Sequence, residues 1–165
     1  VILCEGAQGF GLDIDWGDYP FVTSSHCTVG SALLNGIPPQ AIRDVWGVAK
    51  AYETYVGAKK FELNNPVFSQ IRSVGKEYGA TTGRNRQCGW LDVPFLEKSI
   101  KINGVNKVVF NKMDILEQVN IWNIKYKENE YERFNNRKGF EKYFETKLKV
   151  WGVEDVYFSD SPDRI

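Results

Sequence analysis

The sequence has no excess of either charge and very little histidine or cysteine. Its 165 residues include 21 Lys and Arg, 21 Asp and Glu, one His and three Cys. Balanced charge creates no broad field that would attract nucleic acid or an anionic membrane, so we predict neither as a partner. Cys4, Cys27 and Cys88 form no CxxC pair. Their scatter argues against a zinc site or a disulfide framework and favours a cytoplasmic protein.

Long apolar stretches are missing as well. No run approaches the roughly 18 residues that cross a bilayer, and no secretory signal pattern opens the chain. The 42% hydrophobic content suffices for one core, so we predict residues 1–165 to be a single domain. The opening run "VILC" predicts a buried strand at Val1 to Cys4. Because a natural chain rarely starts inside a sheet, we expect an N-terminal half to be missing or supplied separately.

Strand and helix patterns alternate along the rest of the chain. Runs of β-branched and aromatic residues predict strands at 45–56, 107–111 and 154–159, and a hairpin over 121–134. Apolar spacing of three and four predicts helices at 66–78, 94–103 and 138–152. Asp92 is placed to cap the second of these helices, and Gly104 to end it. The alternation predicts an α/β fold, in which ligands gather beyond the carboxyl ends of the strands.

The segment "NKMD", Asn111 to Asp114, follows a predicted strand directly. A carboxylate can accept two parallel hydrogen bonds from the N1–H and exocyclic amine of guanine, a match that adenine lacks. The stem of Lys112 can lie across the base. Taken alone, a lysine and an aspartate that open a helical turn are the more common explanation, so the guanine hypothesis depends on context.

Two glycine-rich or hydroxyl-rich segments near the start carry further candidates. The amide of Gln8 in "EGAQG" offers both donors and an acceptor, as a reader of a lactam edge needs. Thr23 and the two serines after it offer hydroxyls for a phosphate. A solvated turn and a strand edge are the respective alternatives. His26 beside Cys27 has no carboxylate near it in sequence to orient it, so we assign no proton transfer to this pair.

The segment "GATTGRNRQCGW", residues 79–90, places two arginines among glycines and threonines. Arg84 and Arg86 offer guanidinium forks that match a carboxylate or a phosphate, and the residues before them offer hydroxyl and backbone donors. A solvated turn with two surface arginines is the alternative. We favour an anion site, because flexible glycine neighbours are a poor support for charges without a function.

Five ordered segments together carry a resemblance to a known family. "EGAQGFGLDIDWGDYPFVTSS", "VWGVAKAYETYVG", "EYGATTGRNRQCGWLD", "NKMD" and "SDSPDR" resemble the C-terminal half of adenylosuccinate synthetases in order and spacing. The resemblance implies an α/β fold related to P-loop NTPases, with a mainly parallel sheet flanked by helices. It also implies a ligase of purine biosynthesis that forms a homodimer. In that reaction GTP phosphorylates the 6-oxygen of IMP, L-aspartate displaces the phosphate, and Mg²⁺ neutralises the transferred charge.

The resemblance also implies which residues bind each substrate. For IMP they are Gln8, Thr23 and Arg84. For aspartate they are Ala80, Thr81, Thr82, Gly83, Arg84, Asn85 and Arg86. For GTP they are Arg86, Lys112, Met113, Asp114, Ser159, Asp160 and Ser161. The catalytic base, the acid and the Mg²⁺ ligands belong to the N-terminal half of the family, so we predict no catalytic or metal residue here and an inactive isolated chain.

Two alternatives stay open at this stage. Recognition groups without a base would also suit a non-catalytic guanine-nucleotide-binding or interaction module. The chain departs from the family pattern at Lys59–Lys60, Asn85 and Ser161, which is compatible with a viral relative that uses a deoxyguanylate in place of IMP. The sequence does not decide between GTP and ATP, or between a homodimer and a complementary N-terminal half as the partner.

Overall fold

The computed structural model describes residues 1–80, 83–161 and 163. In chain order its elements are α1 Gly30–Leu34, β1 Trp46–Lys50, β2 Tyr52–Tyr55, α2 Pro66–Gly75, β3 Gln87–Asp92, α3 Val93–Asn103, β4 Lys107–Asn111, α4 Met113–Val119, β5 Trp122–Lys127, β6 Glu130–Phe134, α5 Arg137–Val150 and β7 Asp155–Phe158. Single 3₁₀ turns occur at Phe10–Leu12 and Pro39–Ala41. Among the described helices, none combines the length and apolar character that a membrane crossing needs.

The strands form two sheets. The first, in the order β1-β4-β7, is parallel throughout. The second, in the order β2-β3-β5-β6, pairs β3 with β5 in parallel and its outer strands antiparallel. The predicted α/β class with a mainly parallel sheet is therefore confirmed. The mixed second sheet was not predicted, although its β5–β6 hairpin was.

The strand predicted over 45–56 is in fact two strands in different sheets. β1 ends at Lys50 and β2 begins at Tyr52, with the fully buried Ala51 between them. The Ala51 N–H donates to the Asn111 carbonyl at 3.0 Å, where the chain leaves the parallel sheet. Residue types on both sides of the break suit a strand, and they do not specify which neighbour each half pairs with.

A predicted strand and a predicted helix end are wrong. Residues Val1 to Cys4 form no strand, and Val1, Ile2 and Leu3 are exposed. A strand needs a paired neighbour for its backbone groups, and no described strand lies beside this segment. The helix predicted to reach residue 78 ends at Gly75, because Lys76 is left-handed (φ 52°, ψ 45°) and its N–H bonds the last helical carbonyls.

The predicted ends of the next helix are confirmed. The Asp92 side chain accepts a hydrogen bond from the Phe95 N–H at 2.9 Å, as an N-terminal cap does. Gly104 follows the helix in the left-handed conformation, with φ 61°. Since β3 ends at the same Asp92, this residue fixes the direct step from the strand into the helix.

Phenylalanine side chains join the parallel sheet to α5. Phe110 of β4 and Phe140 and Phe144 of α5 are fully buried, with ring centroids 4.7–6.3 Å apart. Phe158 of β7 stacks on Phe110 at 5.5 Å. Large buried aromatic side chains dominate core energetics. The carboxyl ends of β4 and β7 therefore rest on the most aromatic part of the core.

A half-buried carboxyl group in the second sheet makes stability depend on pH. Burial raises the pKa of Glu53 to about 7, and the nearby Asp92 carboxylate adds to this, although the Asp92 N–H and Lys125 oppose it. The ordinary value is 4.5. Between these two pKa values the folded state binds more protons than the unfolded state. Stability therefore falls as the pH rises through this window.

We predict that Glu53→Gln removes this loss. At pH 8 the variant should be about 1–3 kcal/mol more stable than the unmodified chain, and at pH 5 the difference should be much smaller. Urea unfolding at the two pH values measures it. Glu145→Gln, at an exposed position on α5, is the matched control and should leave the pH dependence unchanged. A Glu53→Gln variant with the same pH dependence of stability as the unmodified chain would show that Glu53 is not its cause.

Candidate functional site

The carboxyl ends of β4 and β7 bring two of the predicted nucleotide-binding segments together. Phe110 and Phe158 are in register at the end of the two parallel strands. The Ser159 N–H donates to the Phe110 carbonyl at 2.7 Å, and the Met113 N–H donates to the Ser159 carbonyl at 3.3 Å. Lys112 is left-handed, with φ 63°, and Asp114 lies in the first turn of α4. The predicted guanine-binding residues therefore lie together at the carboxyl end of the parallel sheet.

The loop after β7 is closed by its own hydrogen bonds. Ser159 is 5% exposed, and its hydroxyl donates to the Ser161 carbonyl at 2.7 Å. The Ser161 hydroxyl accepts from the Asp163 N–H at 3.3 Å. Asp160 turns outward and accepts from Arg137 at 2.7 Å. Pro162 and Arg164 of the quoted "SDSPDR" segment lie outside the described residues.

The start of α4 carries two further polar groups at this edge. The Lys112 ammonium donates to the Gly75 carbonyl at 3.3 Å, so its stem extends toward the end of α2. The Asn111 Oδ1 atom is buried and has no hydrogen-bond partner among the described residues. Buried acceptors are nearly always satisfied in folded proteins. An unmet acceptor therefore lies beside the predicted guanine-binding residues.

A buried carboxylate to which the sequence patterns assign no role lies after α2, beside the end of β1. Glu77 is 3% exposed and accepts from Lys50 Nζ at 2.8 and 2.9 Å and from the Tyr52 hydroxyl at 2.8 Å. A guanidinium nitrogen of Arg86 lies 3.8 Å from it. Burial lowers the pKa of Lys50, which Glu77 opposes, and burial together with Glu77 raises the pKa of Tyr52. Glu77 is therefore the centre of an ionic cluster at the carboxyl end of β1.

The predicted aspartate loop is held from inside by that cluster. Gly79 donates to the Arg84 carbonyl and Gly83 donates to the Gly79 carbonyl, both at 2.8 Å. The Arg86 N–H donates to the Glu77 carbonyl at 3.0 Å. Arg84 is exposed, whereas Arg86 is half-buried. Arg86 therefore lies against a buried carboxylate, and Arg84 lies at the surface.

Other members of the predicted aspartate loop are only partly placed. Thr81 and Thr82 lie outside the described residues. Ala80 and Asn85 are exposed, and Asn85 forms an antiparallel bridge with Tyr78. This bridge narrows the loop where it leaves α2 and enters β3.

The first thirty residues carry two of the three predicted IMP-binding residues, Gln8 and Thr23. Gln8 is left-handed, with φ 59°, and its Oε1 accepts from the Ser25 hydroxyl at 3.4 Å. The Thr23 N–H donates to the Leu12 carbonyl at 2.8 Å. Asp13, fully buried, accepts backbone N–H bonds from Asp15, Trp16 and Cys27 and so fixes the turn. The structure thus brings Gln8 to the Thr23–Ser25 segment.

One cluster of potential metal ligands occurs in the described part of the chain, and it does not suit Mg²⁺. It comprises Asp13, Asp15 and His26. Burial raises the pKa of Asp13, but three backbone hydrogen bonds outweigh burial and lower the pKa. These bonds occupy both carboxylate oxygens. Mg²⁺ prefers an all-oxygen octahedral set. Asp15 lies 3.3 Å from His26, a carboxylate that sequence distance did not reveal, and we assign no metal step to this cluster.

The segment after β2 links the two substrate loops. The Lys59 ammonium pairs with Asp18 of the first loop. The Lys59 carbonyl accepts from the Gln87 side chain at 2.7 Å, directly after Arg86. The position of Lys59, which departs from the family pattern, is therefore structural in this chain: it joins the predicted IMP loop to the predicted aspartate loop.

The family model of adenylosuccinate synthetase matches residues 1–157. This chain belongs to the adenylosuccinate synthetase family. The synthetase of Halothermothrix orenii is 50% identical over 118 residues, which cover 70% of this chain and 28% of that protein. The synthetase of Paramecium tetraurelia is 51% identical over 118 residues, which cover 70% and 27%. The aligned part thus spans little more than a quarter of these curated relatives.

Solved structures agree with the family and the fold. The fully ligated adenylosuccinate synthetase of Plasmodium falciparum superposes with a TM-score of 0.80 at 32% identity, over 96% of this chain and 47% of that one. The succinoaminodeoxyadenylate synthetase of cyanophage S-2L, bound to dGMP and dATP, superposes with a TM-score of 0.63 at 19% identity, over 95% and 43%. The second likeness shows a shared fold alone. The chain spans about half the length of either structure.

Proposed function

We propose that this chain supplies the guanine, IMP and aspartate recognition groups of a GTP-dependent ligase that joins L-aspartate to IMP. One observation carries the proposal. The ends of β4 and β7 place Lys112 and Asp114 beside the Ser159–Ser161 loop, with the Glu77-anchored Arg86 at the adjoining edge. In an α/β fold, this edge is where ligands bind.

Each group has a distinct task in that proposal. Asp114 accepts the two guanine N–H donors, the Lys112 stem covers the base, and the loop from Ser159 to Ser161 closes over it. Met113 contributes backbone to the same wall. Arg86, held by Glu77, reaches toward GTP. This ion pair lowers the side-chain ordering that nucleotide binding requires.

The IMP and aspartate sites follow from the other two loops. Gln8 hydrogen-bonds the purine 6-oxo edge, and Thr23 binds the 5′-phosphate. Arg84 has a planar guanidinium that matches the carboxylates of aspartate, and it lies near IMP in the same proposal. Ala80, Gly83 and Asn85 belong to the same loop and line the aspartate site. These residues bind and orient substrates, which converts the encounter of two molecules into a reaction within one complex.

The bond-making chemistry is proposed to come from outside these residues. A lactam oxygen is a poor leaving group, so phosphorylation must precede displacement by the aspartate amine. The base, the acid and the Mg²⁺ ligands for these steps are assigned to the N-terminal half of the enzyme, which acts in the cytoplasm as a homodimer. With GTP, IMP, aspartate and Mg²⁺ supplied, the purified 165-residue chain should form no adenylosuccinate. Turnover by this chain alone would contradict that assignment.

Base recognition is tested by comparing GDP with ADP. We predict that the chain binds GDP in preference to ADP, and that Asp114→Asn weakens GDP binding about 10- to 100-fold with little effect on ADP, because charge-assisted bonds to guanine are lost. NMR titration of backbone amides measures both affinities. Asp155→Asn is the matched control, since Asp155 pairs with Lys107 at the opposite end of β7. Equal binding of GDP and ADP by the unmodified chain would refute the proposal.

A further inference from the structure

One arginine contacts carboxylates from three different elements. Arg137, the first residue of α5, donates to Asp160 at 2.7 Å and to Glu117 at 3.0 Å through one guanidinium nitrogen. Through Nε it donates to Glu141 at 2.6 Å. Its side chain is 24% exposed. The three partners lie on the loop after β7, on α4 and on α5.

The stability of α5 does not explain an arginine at this position. A cation in the first turn of a helix is opposed by the helix dipole. An arginine that precedes its glutamate by four residues also has the weaker of the two orientations for such a pair. Asn136, not Arg137, caps the helix, since its side chain accepts from the Gly139 N–H at 3.0 Å. The contacts that remain unexplained are those to other elements.

Those contacts join the two walls of the proposed base site. Asp160 lies between Ser159 and Ser161, and Glu117 lies on α4, the helix that begins with Met113 and Asp114. A planar guanidinium with five donors can hold both carboxylates at a fixed spacing, which a single ammonium does less well. Arg137 therefore fixes the loop after β7 relative to α4.

We propose that Arg137 is a positioning residue for guanine specificity: it holds the Ser159–Ser161 loop against α4, so that the base site keeps the shape of guanine. This inference rests on the proposed function, because it needs a base between the two walls. It assigns Arg137 no contact with the nucleotide. Its effect should appear as a change in the preference for GDP over ADP.

The test compares a variant that removes all three contacts of Arg137 with variants that change one of its partners. Arg137→Ala and Asp160→Asn should each weaken GDP binding about 3- to 10-fold and leave ADP binding unchanged. The ratio of the Kd for ADP to the Kd for GDP should therefore fall by the same factor. The double variant should bind GDP no more weakly than Arg137→Ala alone, because Arg137→Ala already removes the contact with Asp160. Glu141→Gln breaks only the contact within α5, and Lys138→Ala removes a neighbouring exposed charge. Both controls should retain the preference of the unmodified chain.

The outcomes separate this inference from the function on which it rests. If the unmodified chain prefers GDP and both Arg137→Ala and Asp160→Asn keep the same preference, Arg137 does not position the loop, and the proposed function stands. If the unmodified chain shows no preference, the proposed function fails and takes the inference with it. Thermal unfolding of each variant identifies any loss of folding. If Arg137→Ala does not fold, Glu117→Gln decides, since it weakens the contact of Arg137 with α4 at a residue that has no assigned contact with the nucleotide. An unchanged preference for GDP in that variant would overturn the inference.

Discussion

Replacement of Glu77 by alanine is expected to lower the free energy of unfolding by about 3–5 kcal/mol, because it leaves a buried charge without its partner. Lys50 Nζ donates to both oxygens of this carboxylate, and the Tyr52 hydroxyl donates to one of them. The carboxylate side chain is 4% exposed and the lysine side chain 25% exposed. Water can therefore replace the lost partner only at the lysine end.

The cost should come from the unpaired partner more than from the pair itself. A triple variant, Glu77→Leu with Lys50→Met and Tyr52→Phe, replaces both charges and the buried hydroxyl with apolar groups of similar size and should recover most of the lost stability. Urea unfolding of the single and triple variants measures the difference. Glu97→Ala is the control, since its partner Lys101 is 60% exposed, and it should cost less than about 1 kcal/mol. A Glu77→Ala variant as stable as this control would show that the cluster is hydrated.

Local signals in the sequence predicted most of the elements. Asp92 and Gly104 mark the ends of α3 by side-chain capping and left-handed geometry, which depend on a few neighbouring residues. The division of 45–56 between two sheets was not predicted, because it depends on the strands that β1 and β2 meet. The same is true of Val1 to Cys4, where an apolar run suited to a strand pairs with no described strand.

The candidate site shows the same division. Lys112 and Asp114 could be proposed as guanine-binding residues because they lie in one short segment directly after a strand. Glu77 could not be singled out in this way, because its importance comes from two ion-pair partners that are distant in sequence. Lys50 contacts it from β1, and Arg86 contacts it from the end of the loop before β3. Arg137 lies in no ligand-binding motif of the sequence, and its proposed role comes only from its contacts with three elements. Residue types identify ligand-binding groups, whereas tertiary contacts identify the residues that hold them.

The second large effect concerns Arg84, the exposed arginine of the predicted aspartate loop. Under the proposed function, Arg84 binds a carboxylate of aspartate that is buried when the substrates are bound. Loss of one partner from such a pair costs about 2–5 kcal/mol, which corresponds to roughly a 30- to 4,000-fold rise in the KM for aspartate. Arg84→Lys should recover part of this loss, because it keeps the charge without the bidentate geometry.

The Arg84 measurement requires an active enzyme, reconstituted from this chain and the separately expressed N-terminal half of the Halothermothrix orenii synthetase. Steady-state assays then report the KM for aspartate, IMP and GTP for each variant. Arg133→Ala is the control, since it removes an exposed arginine from β6 and should change none of the three. Because Arg84 also lies near IMP in the proposal, its loss should raise the KM for IMP by a smaller factor. An active Arg84→Ala enzyme with unchanged KM for aspartate and unchanged kcat would remove Arg84 from the site and leave the anchored Arg86 as the arginine that defines the loop.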